Sequence, residues 1–412
     1  MTCPVPARVA VCVWLCVISA ACGERMDARA DAAPRDSAGI RIVESARPVW
    51  DASAGWRVDS VPALQIGSVE GAAEYQLGRV QGAARLAGGG VAVADANAVE
   101  VRFYDARGRF LRAAGRRGGG PGEFGSIDAM LPYRGDSLAV WDARQTRLVV
   151  LGPDGGVGRT TSVRVGGASA ALRGILADGS FVLEPSPSVE AFLRMEAGER
   201  RDSVRYVRHT ADGAAANTLD ARAGRELVAR RAGGALSQES VLFGRNAYFA
   251  ASGEHAFVGE SDAFRVDVTD AVGRVRMSIR RLGAPRRVER ADLARAREAA
   301  QARQRERAER IARVTGGAAR APAFDDLPAR ATMPAFDQLA VDAEQNLWVR
   351  DYQVAPDDPS RWSVFDPRGR WLGTVETPAG LTVLQIGADW ILGRARDELE
   401  VEYVRLYRLR KG

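Results

Sequence analysis

One unit recurs along this chain from Ile40 onward and restricts the fold more than any other feature. A β-run leads to an acidic residue, a second β-run follows, and a turn closes on glycine. The clearest copy has Val91, Val93 and Asp95, then Val99, Val101, Phe103 and Tyr104, then Asp105 and Gly108. A second runs through Leu138, Trp141 and Asp142 to Leu148, Leu151, Asp154 and Gly155. A third leads from Phe181 and Glu184 to Asp212 and Gly213, and Pro185 and Pro187 break its middle. A fourth contains Phe257, Glu260, Phe264, Val268 and Gly273, and a fifth Leu347, Trp348, Asp351, Trp362, Asp366 and Gly369. The sixth has Trp390, Ile391 and Leu392, then residues 401–407. In the turns, an Asp side chain bonds the local backbone and Gly takes the positive φ that other residues resist. Repeats of roughly 40–60 residues with these signals point to radially arranged four-stranded sheets rather than a sandwich. The expected fold class is therefore all-β: a six-bladed β-propeller with one inserted charged helix. The sixth copy lacks a last outer strand, while residues 40–43 and 56–58 precede the first copy without a sheet of their own. One of these segments is expected to complete the last sheet and remove its exposed edge.

The N-terminus reads as an export signal. Arg8 precedes an apolar stretch at residues 9–21 with Trp14, Leu15 and Ile18. That is roughly a dozen residues, short of the ~20 a bilayer span needs but right for a signal-peptide core. Ser19-Ala20-Ala21-Cys22 resembles the bacterial lipobox, although Ser19 stands where the pattern prefers leucine. The resemblance implies a signal peptide over residues 1–21 and lipidation at Cys22. Residues 22–38, rich in Ala, Asp and Arg without an apolar period, read as a flexible tether, and the repeats put the propeller at residues 39–412. Acyl chains on Cys22 would make a membrane the first partner. Gly23 after the cysteine, rather than Asp, favours the outer membrane. The expected location is the cell envelope, on the outer membrane or its periplasmic face.

Composition removes several function classes. Cys3, Cys12, Cys16 and Cys22 are the only cysteines, so the body has neither a disulfide nor a cysteine zinc site. Lys411 is the single lysine, and the arginines are spread along the chain. Nucleic-acid binders cluster their cations and interleave aromatics, so no nucleic-acid partner is expected.

The segment Gly115-Arg116-Arg117-Gly118-Gly119-Gly120-Pro121-Gly122-Glu123-Phe124 resembles a hallmark of bacterial six-bladed β-propeller lipoproteins, relatives of the NHL-repeat propellers. Pro334 to Leu339, Leu347-Trp348-Val349, Trp362 to Asp366 and Arg370 to Gly373 resemble the same group, as does the ending from Asp397 to Arg405. The resemblance covers roughly Ile40 to the C-terminus. It implies the fold and leaves the activity open. Only the first copy carries the Gly-Pro-Gly-Glu-Phe segment.

Candidate site residues follow from the repeats. Asp95, Asp142, Glu184, Glu260, Asp351 and Asp397 sit after comparable strands, so their loops belong on one face near the channel mouth. Either they form an acidic ring for a cation or polar ligand, or each caps its own hairpin through backbone N–H groups. Asp95, Asp142, Glu260, Asp351 and Asp397 are carried forward as possible ligand-binding residues. No catalytic or metal-binding residue is assigned and no cofactor is expected. The alternative is a metal-dependent hydrolase or lactonase of the propeller type: the resemblance of the fold to propeller lactonases, which hold a divalent cation on carboxylates and Asn, would put one on Asp95, Asn97, Glu260 and Asp351, without a matching motif in the sequence. His209 and His255 are the only histidines; His209, beside a turn, is expected to be exposed. Gly118 to Gly122 lacks the Lys and Ser/Thr of a phosphate loop. The inserted helix, about residues 287–315, is arginine-rich, with Leu293, Ile311 and Val314 too sparse for a coiled-coil seam, and Gly316-Gly317 is expected to end it. It reads either as a basic arm over one face or as an insertion on the rim. An envelope protein or polysaccharide is the expected further partner of a ligand- or protein-binding module.

Overall fold

Short runs of β-branched and aromatic residues form strands throughout the body, and among the described residues the strands assemble into six sheets. The computed structural model describes residues 1–2, 34–51, 54–167, 169–232, 235–315, 326–355 and 358–412. Residues 3–21 of the expected signal peptide, the expected lipidation residue Cys22, the expected tether up to residue 33 and Gly316-Gly317 lie outside them.

The first sheet comprises Val80–Arg85, Val91–Asp95, Glu100–Tyr104 and Phe110–Ala114. The second comprises Ala129–Pro132, Leu138–Asp142, Arg147–Leu151 and Val157–Ser162. Ala170–Ile175, Phe181–Pro185, Gly198–His209, Ala215–Ala232 and Ala235–Ser240 make the third. The fourth is built from Ala247–Ser252, His255–Glu260, Arg265–Thr269 and Val275–Arg281. Phe336–Val341, Leu347–Asp351, Ser360–Phe365 and Trp371–Thr377 form the fifth, and Thr382–Ile386, Trp390–Arg396 and Glu402–Arg410 the core of the sixth.

The first strands of successive sheets touch one another, and that of the sixth returns to that of the first. Between each pair of neighbours lies one apolar cluster. Phe103 and Met130 meet between the first and second sheets, Trp141 and Phe181 between the second and third, and Tyr206 and Val258 between the third and fourth. Ile279 and Phe336 meet between the fourth and fifth, Trp348 and Ile391 between the fifth and sixth, and Val80 and Leu392 between the sixth and first. A sheet packed on both faces has strands buried along their whole length, as Val91–Asp95 and Leu138–Asp142 are. This is a propeller-like all-β fold.

The two N-terminal segments go to different places. Leu64–Ile66 and Arg57–Val58 pair with Glu402–Arg410 and complete the sixth sheet, as expected for one of them. Ile40–Ser45 instead joins the outer edge of the fourth sheet, parallel to Val275–Arg281, and Arg35–Ser37 folds back on it. At the turn before Phe110–Ala114, Gly108 has φ +79°, and a Cβ there would lie 2.9 Å from Leu64 Cδ1.

The third sheet is larger than its repeat implied. Pro185 ends its strand, Ser188 caps a short helix at Val189–Leu193, and the following hairpin extends well beyond the ring. The long helix spans Arg290–Thr315, close to the expected limits. Antiparallel pairing puts the loops between second and third strands, and the links between sheets, on one face, called upper below. The other turns lie on the lower face.

Candidate functional site

The upper face carries the acids picked out by the repeats, and the structure gives each of them a partner. Asp95 is buried; its Oδ1 accepts from the N–H groups of Asn97 (2.9 Å) and Ala98 (3.0 Å), and Oδ2 from that of Gly78 (3.0 Å). Arg102 stands 3.5 Å away. Asp142 repeats the arrangement with Gly125 (2.8 Å), Ser126 (3.1 Å) and Gln145 (3.1 Å), and Arg147 lies at 3.5 Å. Both carboxylates cap their own hairpins and also tie down the link entering the sheet.

In the third sheet Glu184 accepts from Arg173 at 2.7 Å. In the fourth, Glu260 has Arg201 at 3.5 Å and Arg222 at 3.9 Å. Asp351 of the fifth sheet accepts from Arg281 at 3.0 Å, and Arg281 lies 3.9 Å over the Phe264 ring and 5.4 Å from that of Trp371. Burial pushes the Asp351 carboxyl above its ordinary range, against the pull of Arg281 and Arg361.

The sixth sheet departs from the pattern. Asp95, Glu260 and Asp351 pair in register with the first residues of their neighbouring strands, Val80, Ala247 and Phe336. Arg394 stands at the corresponding place, opposite Thr382. Asp397 lies further along, in the turn. It accepts from Leu399 N–H (3.0 Å), Val401 N–H (2.9 Å) and the Tyr403 hydroxyl (2.9 Å). Desolvation pushes its carboxyl up, but these donors outweigh it and hold the group below the usual range. The carboxylate at this mouth is Glu402, which accepts from Arg396 at 2.9 Å and from the Val80 N–H of the first sheet. Asp337 is a second acid that the repeats did not mark. It accepts from Arg350 (2.6 Å) and Gln353 N–H (3.0 Å), and burial pushes its carboxyl up. Neither acid follows a strand in the repeat, so spacing alone did not expose them.

The upper mouth is thus a ring of arginine–carboxylate pairs rather than an open acidic ring. Asp95, Asp142, Glu260, Asp351 and Asp397 each hold their own partners. Among the described residues no three His, Cys, Asp or Glu side chains converge on a position for a metal ion. Asn97 donates its backbone N–H to Asp95 at 2.9 Å.

The histidines do not supply a site on this face. His209 is buried rather than exposed, stacked on Phe181 at 5.5 Å with Nδ1 3.3 Å from the Gly213 carbonyl, and burial lowers its pKa. His255 is exposed on the lower face, where it lines a cavity of about 330 Å³ with Leu176, Asp178, Glu254 and Asp270. Arg208 answers Asp178, and Arg276 answers Asp270 at 2.7 Å.

One sector of the upper face is built up. Ala296 and Ala300 of the long helix pack on Val228, Leu242, Phe243, Leu327 and Met333, with Tyr352 and Val354 alongside. Alanine lets the helix backbone come close. Ion pairs fix its surroundings: Arg330 reaches Glu226 (3.0 Å) and Glu199 (3.1 Å), Arg307 reaches Glu239 (3.7 Å), and Arg295 meets Asp358.

No family model matches this chain, and no curated protein matches it. Among solved structures it is similar to a putative exported protein from Bacteroides fragilis, with 11% identity over 90% of this chain and 99% of that one, and a TM-score of 0.48. It is also similar to a member of the DUF4221 family from Bacteroides vulgatus, with 7% identity over 87% of this chain and 99% of that one (TM-score 0.46). A streptogramin B lyase matches with 8% identity over 87% of this chain and 98% of that one, at a TM-score of 0.38. The fold itself is read from the six sheets and the contacts that join them.

Proposed function

We propose that this chain is an exported, lipid-anchored six-bladed β-propeller of the cell envelope that acts as a binding module. The six sheets are read as its blades, Cys22 as its lipidation site and residues 22–34 as its tether, shorter than the expected 22–38 because Arg35–Ser37 pairs with Ile40–Ser45. An envelope protein or polysaccharide is the partner, held at the built-up sector of the upper face. The observation that carries this reading is the pairing of every ring acid with arginine or backbone N–H. Among the described residues each ring acid is thereby committed to donors within the fold, Asp142 also taking the Ser126 hydroxyl at 3.3 Å. The same face meanwhile carries a docked helix and an extended hairpin, which enlarge a surface for recognition.

The test is in-cell photocrosslinking of the full-length chain with a photoreactive residue at Arg297, which is exposed on the helix. A discrete adduct at Arg297 that is missing when the probe stands at Val157, in the second sheet, is the expected result. Turnover of a lactone or phosphoester by the purified chain, lost in Glu260→Gln or Asp351→Asn, would overturn the reading in favour of a metal-dependent hydrolase.

A further inference from the structure

The short helix Val189–Leu193 has no buried residue, yet three of its five residues are large and apolar. Val189 is 63% exposed, Phe192 40% and Leu193 66%. Other exposed large apolar residues, such as Leu111, Val157, Val272 and Leu399, occur singly along the chain. A helix this short does not persist on its own propensity. Its ends are held by Ser188, whose Oγ accepts from the Ala191 N–H at 3.1 Å, and by Arg194 donating to Glu190 at 2.5 Å. The segment is therefore held as an apolar crest in solvent. A cluster of this kind marks a surface that is covered in use.

The topology says what lies opposite it. The crest joins the second and third strands of the third sheet, which puts it on the upper face. In the neighbouring fourth sheet, Val275–Arg281 runs towards the upper face, where the link to the fifth sheet leaves. Ile40–Ser45 runs parallel to it, and Arg35–Ser37 runs antiparallel to Ile40–Ser45. Arg35–Ser37 therefore runs away from the upper face, and Arg35, its entry point, is the end nearer that face. Only the residues between Cys22 and Arg35 separate this entry point from the proposed anchor. Fully stretched they span at most about 45 Å, against a radius of gyration of about 21 Å for a body of this size. That span is long enough for a bilayer holding Cys22 to meet the face that carries the crest.

We infer that the crest of Val189, Phe192 and Leu193 dips into the lipid bilayer and sets the orientation of the propeller, upper face towards the membrane. The inference rests on the lipid-anchor reading. It puts a partner of the built-up sector at the membrane surface.

The four cysteines all precede the body. Once the leader is removed and Cys22 is acylated, Phe192→Cys therefore carries the one free thiol. The full chain, lipidated in cells and labelled there with an environment-sensitive fluorophore, is reconstituted into phosphatidylethanolamine–phosphatidylglycerol vesicles. Val157→Cys, labelled alike, is the control. The expected result is a blue shift at residue 192 on adding vesicles, with most of the emission lost to nitroxide-bearing lipid, and neither effect at residue 157. A chain that floats with the vesicles while residue 192 reports water overturns the crest proposal and leaves the anchor intact. A chain that does not float, and behaves like Cys22→Ala, overturns the anchor and the inference with it. A blue shift without vesicles that grows with protein concentration assigns the crest to a second copy and overturns lipid as its occupant.

Discussion

Asp142 is buried, accepts three backbone N–H groups and has Arg147 beside it. A carboxylate so placed has hydrogen-bond donors in place of the water it lost. His209 is the opposite case. It is buried against Phe181, and its contact with the Gly213 carbonyl does not offset the loss of water, so its pKa falls below 6.5. As pH drops, the unfolded chain takes up the proton first. The contribution of His209 is therefore complete above the unfolded value and is lost as pH falls through about 6.5 towards the folded value. Urea unfolding at about pH 7.5 and about pH 5.5 should show a lower midpoint at the acid end. His209→Phe, which keeps a ring over Phe181, should reduce that difference, and an unchanged difference would assign the pH dependence elsewhere. The sequence places His209 at a strand end but does not say that it is buried. That depends on its register with Phe181, a residue 28 positions earlier in the neighbouring strand. The acids are legible in the same partial way. Their recurrence marks one face, whereas their arginine partners come from strands set by the folded register.

The long helix shows what an element's own pattern hides. Its length and charge are plain in the sequence, and its limits, Arg290–Thr315, are close to those expected. Its docking is not plain, because the buried positions are alanines, which carry almost no apolar signal. Ala296, Ala300 and Ala308 are buried and spaced at four or eight residues, so they share one side of the helix. Of these, Ala296 and Ala300 touch the extended hairpin and the strands beside it. The helix and hairpin together form a layer outside the ring with its own small core. Ala300→Glu would put an unpaired carboxylate into that core, and the helix has a cheaper option than accepting it, which is to undock. Limited trypsin digestion should then cut within the helix faster by about tenfold or more, since each 1.4 kcal/mol of lost docking is a factor of ten. The ring should keep its unfolding midpoint within about 0.5 kcal/mol, as expected for a site outside its core. A large loss of global stability would mean that the helix supports the ring itself.

The ring as a whole is joined by segments far apart in the chain. The missing outer strand of the sixth copy was legible, and so was the need for an N-terminal segment to fill it. Which segment does so was not, because residues 40–43 and 56–58 are both short β-runs and no hairpin turn fixes the partner of either. The register decides it. Ile66 lies opposite Val404, Leu64 opposite Leu406 and Val58 opposite Leu409. Ile66 is buried in the cluster that contains Val80 and Val91 of the first sheet and Leu392 of the sixth. That one residue therefore fills the junction where the two ends of the ring meet. Ile42, in the strand added to the rim of the fourth sheet, is only partly buried and closes nothing. Ile66→Ala should lower global stability by about 2–5 kcal/mol, and Ile42→Ala by about 1 kcal/mol or less. Hydrogen exchange separates closure from simple packing. If the junction couples the ring, amides of Val80–Arg85 and Trp390–Arg396 should speed up together in Ile66→Ala. If only those of the sixth sheet do, the first sheet is stable without the clasp, and the ring is held by its neighbour-to-neighbour clusters alone.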